Sequence, residues 1–183
     1  MEDKELIKGC INGDAKAQRL LYSRYGPFLM GLYVRYAGNR EDAEEIFHDS
    51  MVKVYNHIEK FKGESSLKTW INRVGVNTAL DFLRKRKSAL VVEHISDSVL
   101  DIQDSDIEID VSFEASVAMS LLGSLNLNQQ IIINMYVIDE MSHKEIAAKL
   151  NISEEASRAQ YSRAKKALAE LVKMKLMKNE TKQ

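Results

Sequence analysis

Two tetrapeptides place a glutamate three residues ahead of a histidine: Glu45-Ile46-Phe47-His48 and Glu140-Met141-Ser142-His143. On one helix face this spacing can bring a carboxylate and an imidazole to a shared metal ion, as in di-iron carboxylate bundles. Such a site needs two further inward glutamates. The second pair straddles a helix start, and the neighbouring apolar stripes carry no glutamate that could complete the set. A di-iron helical-bundle enzyme therefore stands as a remote alternative, tested by iron analysis. No nucleophile–base pairing and no glycine loop that would cradle a phosphate is present, so no catalytic chemistry, cofactor, metal or small-molecule substrate is expected.

Residues 142–168, "SHKEIAAKLNISEEASRAQYSRAKKAL", carry a different chemistry. Ser142 can cap a helix whose Glu145 reaches back to the cap. Asn151 tolerates the left-handed backbone of a tight turn. Ser153 can cap a second helix, with Glu154 and Glu155 on the positive end of its dipole. Along that helix Ser157, Tyr161, Ala164, Leu168 and Leu171 make an inward face, and Arg158, Ala159, Gln160, Ser162, Arg163, Lys165 and Lys166 remain outside. This is a helix-turn-helix pattern. A second helix laid in a major groove would offer Arg158 to guanine and Gln160 to adenine, while Arg163 and Lys166 neutralise phosphates. Lys144, on the first helix, joins the DNA-binding set. The bland alternative is an amphipathic hairpin with a solvated basic face.

The rest of the 183-residue chain must position these groups. Only 8 glycines and one proline, Pro27, interrupt it, which predicts an all-α protein. Charge is distributed unevenly. Residues 1–87 carry a net +4, residues 88–116 contain eight acids and no Lys or Arg, and residues 117–183 carry a net +3, so the total of -1 hides two basic parts. The pattern predicts two small helical domains, 1–87 and 117–183, joined by a flexible acidic linker over 88–116, with the helix-turn-helix in the second domain. The linker reads either as a solvated spacer or as an acidic strand that occupies a basic channel of a partner.

In the first domain, Leu6, Ile7, Cys10 and Ile11 form one apolar stripe and Ala17, Leu20, Leu21 and Tyr25 another. Asn39 is a plausible N-cap for a helix that buries Ala43, Ile46, Phe47, Met51, Val54 and Ile58. Glu41, Glu45, His48, Asp49 and Lys53 are then left toward solvent. Ser66 is expected to start the next helix. The single Cys10 excludes an internal disulfide framework and a cysteine-rich zinc site. The charged N-terminus argues against a signal peptide, and the longest apolar run, residues 131–138, is too short to span a bilayer. A cytoplasmic location without membrane insertion is expected.

Three stretches in order resemble the extracytoplasmic-function (ECF) sigma factors of bacterial RNA polymerase: "REDAEEIFHDSMVKVY", "FKGESSLKTWINRVGVNTALDFLRKRK" and "LNLNQQIIINMYVIDEMSHKEIAAKLNISEEASRAQYSRAKKAL". The resemblance implies a promoter-specificity subunit that binds core RNA polymerase and promoter DNA, with an anti-sigma factor as a further partner. It implies that 1–87 binds core polymerase and recognises and melts the minus-ten element, and that 117–183 reads the minus-thirty-five element. By the same resemblance Asp42, Glu45, Ile46 and Asp49 contact polymerase, and Lys62, Ser65, Ser66 and Leu67 form the loop that holds an unstacked base. Asn77 matches a base- or strand-contacting position, and Arg84, Lys85 and Arg86 meet phosphates. Trp70 reads either as a base-stacking ring or as core.

The chain departs from the family where His48 replaces a common glutamine, where Glu155 replaces glycine, and where Ala159 and Gln160 replace Ser-Arg. The last two departures imply an altered base preference at those positions, not loss of DNA binding. The rival reading is an autonomous helix-turn-helix regulator, which would hold its operator tightly without polymerase.

Overall fold

In a computed structural model of the chain, residues 2–86 and 115–180 are described. All regular structure among them is helical. The chain divides into two compact units, Met1–Arg86 and Lys87–Gln183. The acidic connector falls outside the described residues, except that Ala115 and Ser116, assigned to it from sequence, open a helix.

The first unit contains α1 (Asp3–Ile11), α2 (Ala15–Ala37), α3 (Arg40–His57) and α4 (Leu67–Arg86). Caps set each boundary. Glu2 and Glu5 close a capping box on α1. Asp14 accepts from the Lys16 amide at 2.8 Å, and Asn39 accepts from the Asp42 amide at 2.9 Å. Pro27 sits inside α2 without ending it. Its flanking residues Tyr25, Gly26 and Leu29 are buried, and this packing outweighs the lost backbone bond.

The core joins Leu21, Leu29, Leu32 and Tyr33 of α2 to Ile46, Phe47 and Val54 of α3 and to Ile71, Val76 and Leu80 of α4. Tyr33 donates a hydrogen bond to Ser50 inside this core. A Cβ on Gly75 would stand 3.0 Å from both Leu29 Cδ2 and Tyr33 Oη, so α4 lies tight on α2 there. The first stripe is narrower than its sequence implies. Leu6 and Cys10 are buried, whereas Ile11 is 51% exposed, because residues 7 and 11 point a quarter-turn away from the α2 contact.

The second unit contains α5 (Ala115–Gly123), α6 (Leu127–Ile133), α7 (His143–Leu150) and α8 (Glu154–Glu180). Asn126 and Gln129 cap α6 reciprocally. After Ile133 the helix widens into a π turn over Asn134–Ile138. The extra width swings Val137 and Ile138 to the surface at 55% and 40% exposure, although both belong to an apolar run broken only by Asn134. Glu140 then adopts φ 53, and the Met141 amide donates to the Met135 carbonyl at 2.9 Å, which turns the chain into α7.

Candidate nucleic-acid interface

In the second unit the local chemistry of the turn is realised. Ser142 accepts from the Glu145 amide at 3.3 Å, and the Glu145 carboxylate accepts from the Ser142 amide at 3.0 Å. Asn151 takes φ 56 and ψ 50, the left-handed conformation expected of it. The Ala156 amide donates to Ser153 Oγ at 3.0 Å, so α8 begins where the cap predicts. Ser157 and Ala164 are fully buried, and Ala156 and Val172 join them. Tyr161, Leu168 and Leu171 are only partly covered.

His143 ties the two helices together. Its Nδ1 is hydrogen-bonded to Ser157 Oγ at 3.0 Å, and its ring stacks on Tyr136 at 4.4 Å with an 18° tilt. The Glu140–His143 spacing does not fall within one helix, as its position at a helix start implied. Glu140 lies outside the helix in left-handed backbone, and His143 spends its ring on Ser157 and Tyr136. In the first unit Glu45 and His48 are exposed on α3. Among the described residues no three His, Cys, Asp or Glu side chains come together to hold a metal ion.

The outer side of α8 is exposed or half-exposed from Glu155 to Lys166. Lys144 on α7, Arg158 and Lys166 are exposed, and Ala159, Gln160 and Arg163 are partly covered. Arg158 is paired with Glu154 one turn back at 2.5 Å, an exposed (i, i+4) ion pair. Arg158 and Gln160 are two residues apart and so leave the helix about 200° apart. They therefore flank the outer face from opposite sides and do not share a line along it. Its centre line runs through Glu155, Ala159, Ser162 and Lys166, spaced 4, 3 and 4 residues apart. The helical period alone places Glu155 and Ser162 on this line.

In the first unit α3 presents Glu41, Glu45 and Asp49 to solvent, with Asp42 half-covered. Asp42 also accepts from Asn39 Nδ2 at 2.9 Å, so part of its role is to close the helix cap. These acids line an open cleft of about 400 Å³ between α3 and α4, whose other wall includes Thr78, Asp81 and Lys85. Ile46 is fully buried, as its place in the apolar stripe requires, one turn from both Asp42 and Asp49. It packs beneath the edge of the acidic face and is not part of its surface. Glu41, expected toward solvent, and Asp81, not singled out from sequence, belong to the acidic wall.

The loop between α3 and α4 carries Lys62 exposed and Ser65 half-covered, and it turns at Gly63 with φ 75, which favours glycine. Ser66 caps α4 by accepting from the Thr69 amide at 3.0 Å. Leu67, which the resemblance places in the same loop, is 1% exposed and anchors it in the core. Trp70 is partly covered, with its ring edge-to-face against Phe61 at 5.9 Å. Asn77, Arg84 and Lys85 are exposed along α4. Asp81 holds Arg84 at 3.2 Å and Lys53 at 3.4 Å. Arg86 is the last residue of α4, and its side chain lies outside the described residues.

Burial raises the Tyr33 hydroxyl well above its ordinary value, against the lowering effect of its bond to Ser50. Burial, then the nearby Asp14, raises the Cys10 thiol. Both groups belong to the packed interior, which fits a surface built for binding.

The profile for Sigma-70 region 2 matches residues 21–89, and that for Sigma-70 region 4 matches residues 117–168. The ECF RNA polymerase sigma-E factor of Haemophilus influenzae is 41% identical over 83 residues, 45% of this chain and 43% of that protein, so the match spans under half of that relative. The ECF RNA polymerase sigma-E factor of Salmonella typhimurium is 28% identical over 178 residues, 92% of this chain and 93% of that one. Among solved structures, the sigma factor RpoE of Bartonella quintana, in complex with the anti-sigma factor NepR, covers 85% of this chain and 96% of its own, at 22% identity and a TM-score of 0.56. That likeness is one of fold.

Proposed function

Since the chain belongs to the ECF sigma factors, we propose that it binds core RNA polymerase and directs promoter-specific initiation of transcription. The observation that carries the reading is the pairing of two differently built surfaces. One unit has an acidic cleft beside a basic helix end, and the other a capped helix-turn-helix with a cationic flank.

On this reading the carboxylates of Glu41, Glu45 and Asp49 meet a basic surface of the polymerase. The 61–66 loop and the exposed side of α4, with Lys62, Ser65, Asn77, Arg84 and Lys85, hold the unpaired non-template strand at the minus-ten element. Extruding a base costs a few kcal/mol, which the polymerase-bound state offsets through added contacts. The outer face of α8, with Lys144 beside it, reads the minus-thirty-five element in the major groove. The catalytic step belongs to the polymerase, and this chain supplies selection and strand capture.

A near-neutral protein suits this work. Phosphate neutralisation supplies most non-specific affinity for DNA, and Glu154 and Glu155 oppose it at the tip of α8. Each unit then grips DNA feebly alone, and tethering both to one polymerase converts two weak affinities into a strong joint one. A cytoplasmic location follows from that partner. No helix among the described residues is long and apolar enough to cross a membrane. By analogy with the Bartonella complex, an anti-sigma protein is a further partner.

Band shifts with and without bacterial core polymerase, followed by run-off transcription on a promoter library, test the proposal. A shift that requires core polymerase, with initiation at defined sites, is the expected result. Tight operator binding by the chain alone would favour the autonomous regulator.

A further inference from the structure

We infer that Glu155 is a base-selecting residue which requires cytosine at one position of the promoter element read by α8; this rests on the reading of α8 as the groove-entering helix. Glu155 is the second residue of α8, and it is exposed. It begins the centre line that continues through Ala159 and Ser162 to Lys166. In helix-turn-helix proteins the N-terminal residues of the second helix contact base edges, so this is where a side chain reads sequence.

The two acids at the helix start have different surroundings. Glu154 is engaged by Arg158 at 2.5 Å. Glu155 has no cation within ion-pair range among the described residues. One turn on, on the same face of the helix, stands Ala159, whose methyl group can neither donate to the carboxylate nor pair with it. A bare carboxylate pushed toward a polyanion weakens binding unless a donor meets it.

The major groove narrows the choice of donor. Guanine shows two acceptors, N7 and O6, and thymine shows O4 beside a methyl group. Both leave the carboxylate facing an acceptor or a hydrocarbon. Adenine sets its N6 donor beside the N7 acceptor. Cytosine N4 alone offers a donor with no acceptor of its own base beside it, the pairing suited to a glutamate. The residue therefore acts twice: it accepts from cytosine, and it repels guanine and thymine at the same place.

Holoenzyme assembled from core polymerase and full-length chain should be selected on a promoter library randomised through the minus-thirty-five element, for the native chain and for Glu155→Ala and Glu155→Gln. Native holoenzyme should enrich cytosine at one position by between about fivefold and about a hundredfold over the other bases. Glu155→Ala should flatten that position alone. Glu155→Gln should shift it toward adenine, whose N6 and N7 a carboxamide can meet together. An unchanged profile in both variants would overturn the inference while leaving the promoter-reading role of α8 intact. So would a uniform gain in affinity with unchanged preference, which would make Glu155 a neighbour of phosphates. Failure of native holoenzyme to select any sequence would overturn the underlying reading together with it.

Discussion

His143 Nδ1 and Ser157 Oγ lie 3.0 Å apart, joining the first residue of α7 to the buried face of α8 across 14 residues of chain. Both side chains are buried. The bond, with the ring stack on Tyr136, fixes the angle at which the outer face of α8 is presented. His143→Ala removes the stack and strands the Ser157 hydroxyl. It should destabilise the second unit by about 2–4 kcal/mol, read as a lower denaturant midpoint of the full chain. A midpoint within error of the native chain would show that the pair does not hold the turn.

Arg158 tests the groove-facing assignment. Arg158→Ala should weaken use of a cognate promoter by about 1–3 kcal/mol, or roughly 5- to 100-fold, because a bidentate base contact is lost. Polymerase binding should be unchanged. Equal loss of both would move this side chain out of the DNA interface.

Its partner makes the opposite prediction. The Glu154–Arg158 pair is exposed, so it contributes under about 1 kcal/mol to stability. Glu154→Gln should leave the thermal midpoint nearly unchanged and tighten holoenzyme binding to promoter DNA several-fold at low salt. It releases Arg158 and removes a charge that repels phosphates. The gain should fade as salt is raised, as fluorescence anisotropy across a salt series would show.

Two glycines should respond in opposite directions to the same change. A Cβ on Gly9 would stand 2.5 Å from Ala17 Cβ, where α1 lies against α2. Ala17 has no rotamer with which to yield, so Gly9→Ala should cost about 1–3 kcal/mol net of its helix-propensity gain. Gly31, inside α2, meets nothing within 4 Å. Gly31→Ala should therefore stabilise by about 0.5–1 kcal/mol. Chemical denaturation of the two variants reads both signs.

The raised Tyr33 hydroxyl predicts a pH effect. In the unfolded chain this group ionises near its ordinary value of 10.0, whereas in the folded unit burial holds the proton on. Its contribution is therefore complete below that pH and is lost as pH rises above it, because the unfolded state releases the proton first. Tyr33→Phe should flatten the alkaline fall in stability of the first unit. It should also lower stability at neutral pH by about 1–3 kcal/mol, since Ser50 loses a buried partner.

The elements most legible in the sequence were those fixed by neighbours a few residues away. Asn39, Ser142 with Glu145, Asn151 and Ser153 all cap or turn the chain where expected, because capping is a contest between one side chain and the nearest free amides. The acidic side of α3 was legible for the same reason, since a helix sorts residues at a fixed angular step. The burial of Ile46 was legible in the same way, from its place in the apolar stripe. That of Leu67 was not, because it stands beside the exposed Lys62 loop and its burial depends on how α4 packs against the rest of the unit.

What the sequence by itself determined is the all-α class, the capped helix starts at Asn39, Ser66, Ser142 and Ser153 and the kind of surface each unit shows, because these follow from local bonding and from period. Tertiary structure alone decided that His143 is a strut between α7 and α8, that Val137 and Ile138 reach the surface through a π turn, and that Asp81 joins the acids of α3 across a cleft. Each of those outcomes depends on which groups from distant parts of the chain compete for the same space, and no local pattern encodes that competition.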